Sequence, residues 1–237
     1  MSANKVTARI GLIFLSIIIT LLLTVILVRF SKNNGPTKEY YESGQLLFET
    51  TYKSGKHNGP FRRYYKSGQL LFETTYNDGK VEGLTKKYYE NGQLQEEATY
   101  ENDIKKGPYK GYYENGRLQF EGTLKDGKPE GLYKIYYEDG QLQEEATYKD
   151  NNLEGLIKKY YENGQLQVEA TSKNGKAEGI AKKYYEDGQL QEEWIFKDGK
   201  PEGKAKIYNK NGSIAYIDFY KNGNKVDQNN QPKEEEK

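Results

Sequence analysis

The sequence predicts an all-β fold: an elongated repeat array of antiparallel β-hairpins, about eight units of 24 residues, after one N-terminal transmembrane helix. Three observations carry this reading. Glycines recur at Gly44, Gly68, Gly92, Gly116, Gly140, Gly164, Gly188 and Gly212, a spacing of 24 without exception. Tyrosine pairs keep the same period from Tyr40-Tyr41 to Tyr184-Tyr185, with Tyr208-Asn209 as a worn eighth copy. Ahead of them, Ile10 to Val28 carries no charge. Self-similarity at a fixed period marks a repeat architecture in which one unit cannot bury its own apolar face.

In chain order, residues 1–9 form a short tail and residues 10–28 an anchor. As a helix those 19 residues span about 29 Å at 1.5 Å per residue, close to the ~30 Å hydrocarbon core of a bilayer. A cleavable signal peptide has a shorter apolar core and a small-residue cleavage site. Here the run leads straight into Arg29-Phe30-Ser31-Lys32, so an uncleaved single-pass anchor in the inner membrane is expected. Lys5 and Arg9 on one side nearly balance Arg29, Lys32 and Lys38 on the other. The short leading tail, as in bacterial signal anchors, favours an extracytoplasmic C-terminal domain. Residues 29–39 read as a linker and 40–223 as the repeat domain. Residues 224–237 are polar and without period, and read as a disordered tail.

Each unit reads as a hairpin, because Asn-Gly, Asp-Gly or Ser-Gly between runs of Tyr, Leu and Thr suits a two-residue type I′ loop. With Asn91-Gly92 as that loop, Glu90 faces Gln93, Tyr89 faces Leu94, Tyr88 faces Gln95, Lys87 faces Glu96 and Lys86 faces Glu97. The last pairing recurs as Lys38 with Glu49, Arg62 with Glu73, Lys110 with Glu121, Lys134 with Glu145, Lys158 with Glu169 and Lys182 with Glu193. Only Lys206 with Ile217, in the worn copy, breaks it. Such pairs contribute about 0.2–1 kcal/mol each and penalise slippage. About 16 strands in a twisted antiparallel meander follow. A second glycine, mostly in an EG or NG dipeptide, repeats from Gly59 to Gly203. A second turn reads SGK, DGK or NGK but loses its glycine at Asp103 and Asn151, which are 48 apart. QLQEE at 93, 141 and 189 has the same 48-residue period, so duplication of two-unit blocks explains both.

Strand alternation then divides the surface. One face carries Tyr89, Leu94, Ala98, Tyr100 and their equivalents, with Phe48, Phe72, Phe120 and Val168. The other carries the first tyrosine of each pair, the Lys/Glu ladder, Gln and Thr. Tyrosine combines rigid area with a hydrogen-bonding tip and is enriched at recognition surfaces. The candidate partner-binding residues are therefore Tyr89, Tyr113, Tyr137, Tyr161 and Tyr185. Trp194, which stands where other units have Ala98, Ala146 and Ala170, joins them as a candidate anchor, packing on the last repeat being its plainer explanation. Tyrosine stacking that only holds a thin sheet together is the alternative for the rest.

The chain excludes much chemistry. It has no cysteine, and its 36 basic against 35 acidic residues give nucleic acid no charge to read. The single histidine, His57, falls on the turn position held elsewhere by Val81, Pro129 and Leu153. Adjacent acids such as Glu96-Glu97 point to opposite faces of a strand. No phosphate loop and no metal-ligand spacing is present. No catalytic, cofactor or metal site is expected.

The motif YYENGQL, then E-x-T-Y, K-D-G-K-x-x-G and the next Tyr pair, resembles the MORN-repeat variant family over residues 40 to about 223. The resemblance implies a β-hairpin array without known catalytic residues. Some bacterial members of that family are named as antitoxins of toxin–antitoxin systems, and related eukaryotic MORN proteins are associated with membranes and scaffolding. The expectation is a non-enzymatic, membrane-anchored repeat protein that serves as a protein-binding scaffold at the bacterial envelope. Its partners are another protein, the membrane through the N-terminal helix, and in self-association a second copy. An antitoxin or immunity-like factor, and a structural spacer, are the alternatives.

Overall fold

The computed structural model describes residues 34–227. The expected anchor at 10–28 lies outside the described residues. Among those described, no helix is long and apolar enough to cross a membrane. The chain divides into two compact units, Met1–Thr85 and Lys86–Lys237.

The first unit contains β1 (Gly35–Tyr40), β2 (Leu46–Lys53), β3 (Lys56–Tyr64) and β4 (Leu70–Asn77), and the division falls within β5 (Lys80–Tyr88). The second holds β6 (Leu94–Glu101), β7 (Ile104–Tyr112), β8 (Leu118–Lys125), β9 (Lys128–Tyr136), β10 (Leu142–Lys149), β11 (Asn152–Tyr160) and β12 (Leu166–Lys173). It continues with β13 (Lys176–Ala177), β14 (Gly179–Tyr184), β15 (Leu190–Lys197), β16 (Lys200–Pro201), β17 (Gly203–Tyr208), β18 (Ile214–Lys221) and β19 (Asn224–Val226). Within each unit consecutive strands pair antiparallel. The excess over the expected 16 has two sources: interruptions at Glu178 and Glu202 split two strands, and β19 follows the last turn. β1 takes in Gly35 to Glu39 of the segment read as a linker, and β19 takes in Asn224–Val226 of the segment read as a tail.

The expected type I′ loops are present, but at the other end of each unit. Asp78-Gly79 has φ of 49° and 85°, and Asp126-Gly127 has 52° and 75°, positive at both positions as that turn requires. Asp103 and Asn151 take the second position at φ 71° and 69° without glycine. The Tyr-side loops, read from sequence as type I′, are instead three-residue loops. Gly140 N–H donates to the Tyr137 carbonyl at 2.9 Å and Tyr137 N–H to the Gln141 carbonyl at 2.8 Å, while only Gly140 in the loop has positive φ. This is a type I turn closed by a glycine bulge. The preceding Asp or Asn is needed for its side chain rather than its φ: Asp139 Oδ1 accepts from Gln141 N–H at 2.9 Å.

The added loop residue shifts the first pair, so Leu142 faces Tyr136 and not Tyr137. A bulge at Gln143 then restores the count, and Glu144 faces Ile135 and Glu145 faces Lys134. The expected pairings next to the loop are thus overturned, while the expected Lys/Glu register holds. It is seen at Lys38 with Glu49, Arg62 with Glu73, Lys110 with Glu121, Lys158 with Glu169 and Lys182 with Glu193.

Among the described residues no second layer covers the strands, so burial comes from large side chains leaning over small ones. In the second unit Ala98 faces Tyr109, Tyr133 faces Ala146, and Ala146 faces Ile157. Ala98, Ala146 and Ala205 are each 2% exposed, and among the described residues no large side chain is fully buried. Aromatic rings also fill glycines: a Cβ at Gly122 would meet the Tyr133 ring at 2.1 Å. In the first unit Thr50 and Thr74 are buried beside the stacked rings of Phe48 and Phe61, 5.6 Å apart.

Candidate functional site

On the face opposite those alanines, the charge ladder is denser than one pair per hairpin. Six ladder glutamates also face the lysine or arginine of the next repeat: Glu49 with Arg62, Glu97 with Lys110, Glu121 with Lys134, Glu145 with Lys158, Glu169 with Lys182 and Glu193 with Lys206. Close ion pairs form at Lys38–Glu49, 3.2 Å, and Lys206–Glu193, 2.8 Å. These groups are exposed, so water screens each pair and its contribution to stability is small.

Both tyrosines of a pair tie repeats together, in opposite directions. The first reaches back: Tyr112 Oη donates to Glu97 at 2.9 Å, Tyr136 to Glu121 at 2.8 Å and Tyr160 to Glu145 at 3.1 Å. Burial, with the hydrogen-bonded glutamate beside it, pushes the phenols of Tyr112 and Tyr136 up to about 12. The hydrogen bond from Tyr64, with Lys38 next to it, holds Glu49 below the ordinary carboxylate range. The second tyrosine reaches forward to a backbone carbonyl. Tyr89 Oη donates to Tyr112 O at 2.8 Å, Tyr113 to Tyr136 O at 2.7 Å, Tyr137 to Tyr160 O at 2.7 Å, Tyr161 to Tyr184 O at 2.7 Å and Tyr185 to Tyr208 O at 3.0 Å. The five tyrosines singled out from sequence are therefore half-buried, with their hydroxyls committed within the array. Trp194 lies on the packed face, its ring 5.2 Å from Tyr220 and its Nε1–H donating to Glu192 at 2.9 Å.

His57 is packed rather than reactive. Its ring lies 4.4 Å from Tyr52 and 4.9 Å from Tyr76, and its nitrogens meet Thr50 Oγ1 at 3.0 Å and the Tyr52 hydroxyl at 3.2 Å. Burial lowers its pKa. Among the described residues no cluster of three or more His, Cys, Asp or Glu could hold a metal ion.

Sequence reasoning missed the most exposed apolar row of the second unit. Leu132 is 51% exposed, Leu156 46%, Ile180 54% and Ile195 39%. They share the ladder face: Leu132 lies two residues from Lys134 and faces Thr147, Leu156 faces Thr171, and Ile180 faces Ile195. The signal was available in the fixed position after the second glycine, where Leu132, Leu156 and Ile180 recur every 24 residues.

A chain whose hairpins recur every 24 residues is a repeat protein. The model of the MORN repeat variant family matches it eight times, at residues 33–54, 58–78, 81–102, 105–126, 129–150, 153–174, 177–198 and 201–222. The chain belongs to that family. Each matched segment holds one Tyr-side hairpin, as the first holds β1 and β2. A comparison with curated proteins finds no match.

Proposed function

We propose that this protein is a non-enzymatic scaffold that binds another protein through the row Leu132, Leu156, Ile180 and Ile195. The observation that supports it is the exposure of four large aliphatic side chains in register, on a face whose charges are already opposed. Desolvating that row strips no unpaired ion, so apolar contact there is favourable by roughly 25 cal/mol per Å². The row also has a period. Leu132, Leu156 and Ile180 sit on every second strand, about 9.6 Å apart at 4.8 Å per strand. Seven residues of α-helix rise about 10.5 Å. An amphipathic helix laid across the strands therefore offers one apolar side chain to each repeat, and polar side chains on its flank meet the Lys/Glu ladder. The expected anchor at 10–28 would hold this surface at the membrane, with the repeats outside the cytoplasm.

The test uses the full chain in its native membranes, with a photo-crosslinking residue at Leu156 or, as control, at the Asp126 turn. The expected result is a discrete adduct from Leu156 that is lost in an Ile180→Lys variant of unchanged circular dichroism. Adducts from both positions alike, or an adduct that survives Ile180→Lys, would refute this surface. Protease added to spheroplasts checks the orientation, and full protection of the repeats would overturn it.

A further inference from the structure

The packed face of the second unit is built by alternation, one large side chain to one small. Tyr109 faces Gly122, Tyr133 faces Ala146 and Ile157 faces Ala170. A small residue set between two large ones is covered from both sides, as is Ala146, 2% exposed between Tyr133 and Ile157. At the next strand the alternation loses a step. Where β14 would bring another large side chain it has Ala181, which faces Trp194 on β15. Ala170 and Ala181 lie two residues beyond the facing pair Val168 and Lys183, so the two alanines adjoin across β12 and β14. Each has a large neighbour on one side only, and each is half-buried where Ala146 is buried.

The result is a gap in the face, with Ile157 as one wall and Trp194 as the other. These walls stand three strand intervals apart, about 14.4 Å, whereas Tyr133 and Ile157 stand two apart, about 9.6 Å. The surplus of about 4.8 Å exceeds the thickness of an aromatic ring, about 3.5 Å. Trp194 does not close the gap, because its ring packs the other way, 5.2 Å from Tyr220. The polar groups beside the gap are engaged within the array: Trp194 Nε1–H donates to Glu192 at 2.9 Å, and Ser172 Oγ donates to the Leu153 carbonyl at 3.0 Å. A group that enters is therefore apolar. One end of the gap is charged. Glu144, Lys159, Val168, Lys183 and Glu192 face one another in a row across five strands. The lysines pair outwards, Lys159 with Glu144 at 2.9 Å and Lys183 with Glu192 at 3.2 Å. Between them stands Val168, at the position that glutamate holds one repeat before and one repeat after. An ammonium carries three donors, so each lysine can also serve a carboxylate placed above Val168.

We infer that this gap seats a phenylalanine from an extended segment of a protein partner, with an acid two residues along that segment lying between Lys159 and Lys183. Spacing and charge select this occupant. From the alanines to Val168 and Lys183 is two residues, about 6.8 Å along the strands. In an extended segment residues two apart point the same way at the same rise, so ring and carboxylate reach both places together. The ring supplies the large side chain that the alternation lacks, as Tyr133 covers Gly122 inside the array. The acid meets two cations, and the nearest acids in the row are two strands away. The site lies on the face opposite Leu156 and Ile180 and does not depend on that row. One anchor and one charge contact make a weak site, with a dissociation constant on the order of 100 μM for an isolated peptide.

Trp194 is the single tryptophan of the chain, so its fluorescence reads the gap directly. Full-length protein in zwitterionic nanodiscs, titrated with the end-capped peptide Gly-Phe-Thr-Glu-Gly, should show a saturating change in emission with a midpoint on the order of 100 μM. Alanine in place of the peptide's phenylalanine should abolish the change, and glutamine in place of its glutamate should weaken binding about threefold. That threefold preference should vanish in the double variant Lys159→Gln, Lys183→Gln. Ala181→Tyr restores the alternation, so it should keep its β signal and lose the response. Ala170→Phe fills the gap from β12 and takes its place if that variant does not fold. Ile180→Lys should bind the peptide as the parent does, which separates this site from the row on the other face. An equal response to the alanine peptide, a glutamate preference that survives loss of both lysines, or a folded Ala181→Tyr that still binds would each overturn the proposal. A saturating response to dodecanoate with none to the peptide would also overturn it, and would give the gap to an acyl chain.

Discussion

Replacing Tyr113, Tyr137, Tyr161 and Tyr185 together by Phe keeps every ring and removes four hydroxyls that bond to the next repeat at 2.7, 2.7, 2.7 and 3.0 Å. A half-buried neutral hydrogen bond contributes about 1 kcal/mol net. The four sites lie two strands, about 9.6 Å, from one another, far enough for their effects to add within about 0.5 kcal/mol. The expected loss is therefore about 4 kcal/mol, a large share of the roughly 5–15 kcal/mol that holds a domain folded. In urea unfolding followed by circular dichroism of the full chain, the midpoint should fall by about 1.5 M with the slope unchanged. Tyr40→Phe, 58% exposed, is the control and should move nothing. A quadruple variant within about 0.5 kcal/mol of the parent would show that the clamps contribute nothing net, and would free these tyrosines for the partner-binding role their rings suggest.

Gly122→Ala should cost about 1–3 kcal/mol, because its Cβ would stand 2.1 Å from the Tyr133 ring; a melting temperature equal to the parent's would mean that ring moves freely. Asp103→Gly and Asn151→Gly relieve φ of 71° and 69° in type I′ turns and should each stabilise by about 0.5–1 kcal/mol, measured as a rise in urea midpoint. Burial lowers the His57 pKa, so the fold disfavours its charged form: that contribution is complete above the ordinary 6.5 and shrinks as pH falls through it. A His57→Phe variant should flatten the stability profile between pH 7 and 5. At the alkaline end Tyr112, Tyr133 and Tyr136 titrate at about 12 when folded and 10 when free, so stability is complete below pH 10 and falls as pH rises to 12.

The period, the strand content and the Lys134–Glu145 register were legible because glycine spacing and opposed charges are local facts of the sequence. The turn chemistry was only half legible. Asp-Gly occurs both at Asp139-Gly140 and at Asp126-Gly127, and nothing in the dipeptide says that the first closes a three-residue loop and the second a two-residue loop. The register survived because the bulge at Gln143 cancels the longer loop. The hydroxyl partners of Tyr137 and Tyr160 could not be read, since each lies in another repeat and depends on how far hairpins stagger. The row from Leu132 to Ile195 was hidden by its neighbours: alternation assigned Leu132 to the same face as Lys134, and that face had been read as polar.

Most of the side-chain bonds that join repeats have a short reach along the chain, as for Tyr112 with Glu97 at 15 residues, Asn174 with Glu154 at 20 and Tyr137 with Tyr160 at 23. None of these bonds waits for a distant segment. During synthesis each hairpin can lock onto its predecessor once the following two dozen residues have left the ribosome, which places this chain among low-contact-order folders despite its β content. In the repeat with Tyr208 the clamp position holds Asn209 in place of a second tyrosine. Because every clamp spans only one repeat boundary, the length of such an array can change by whole units without rewriting any contact inside the units that remain.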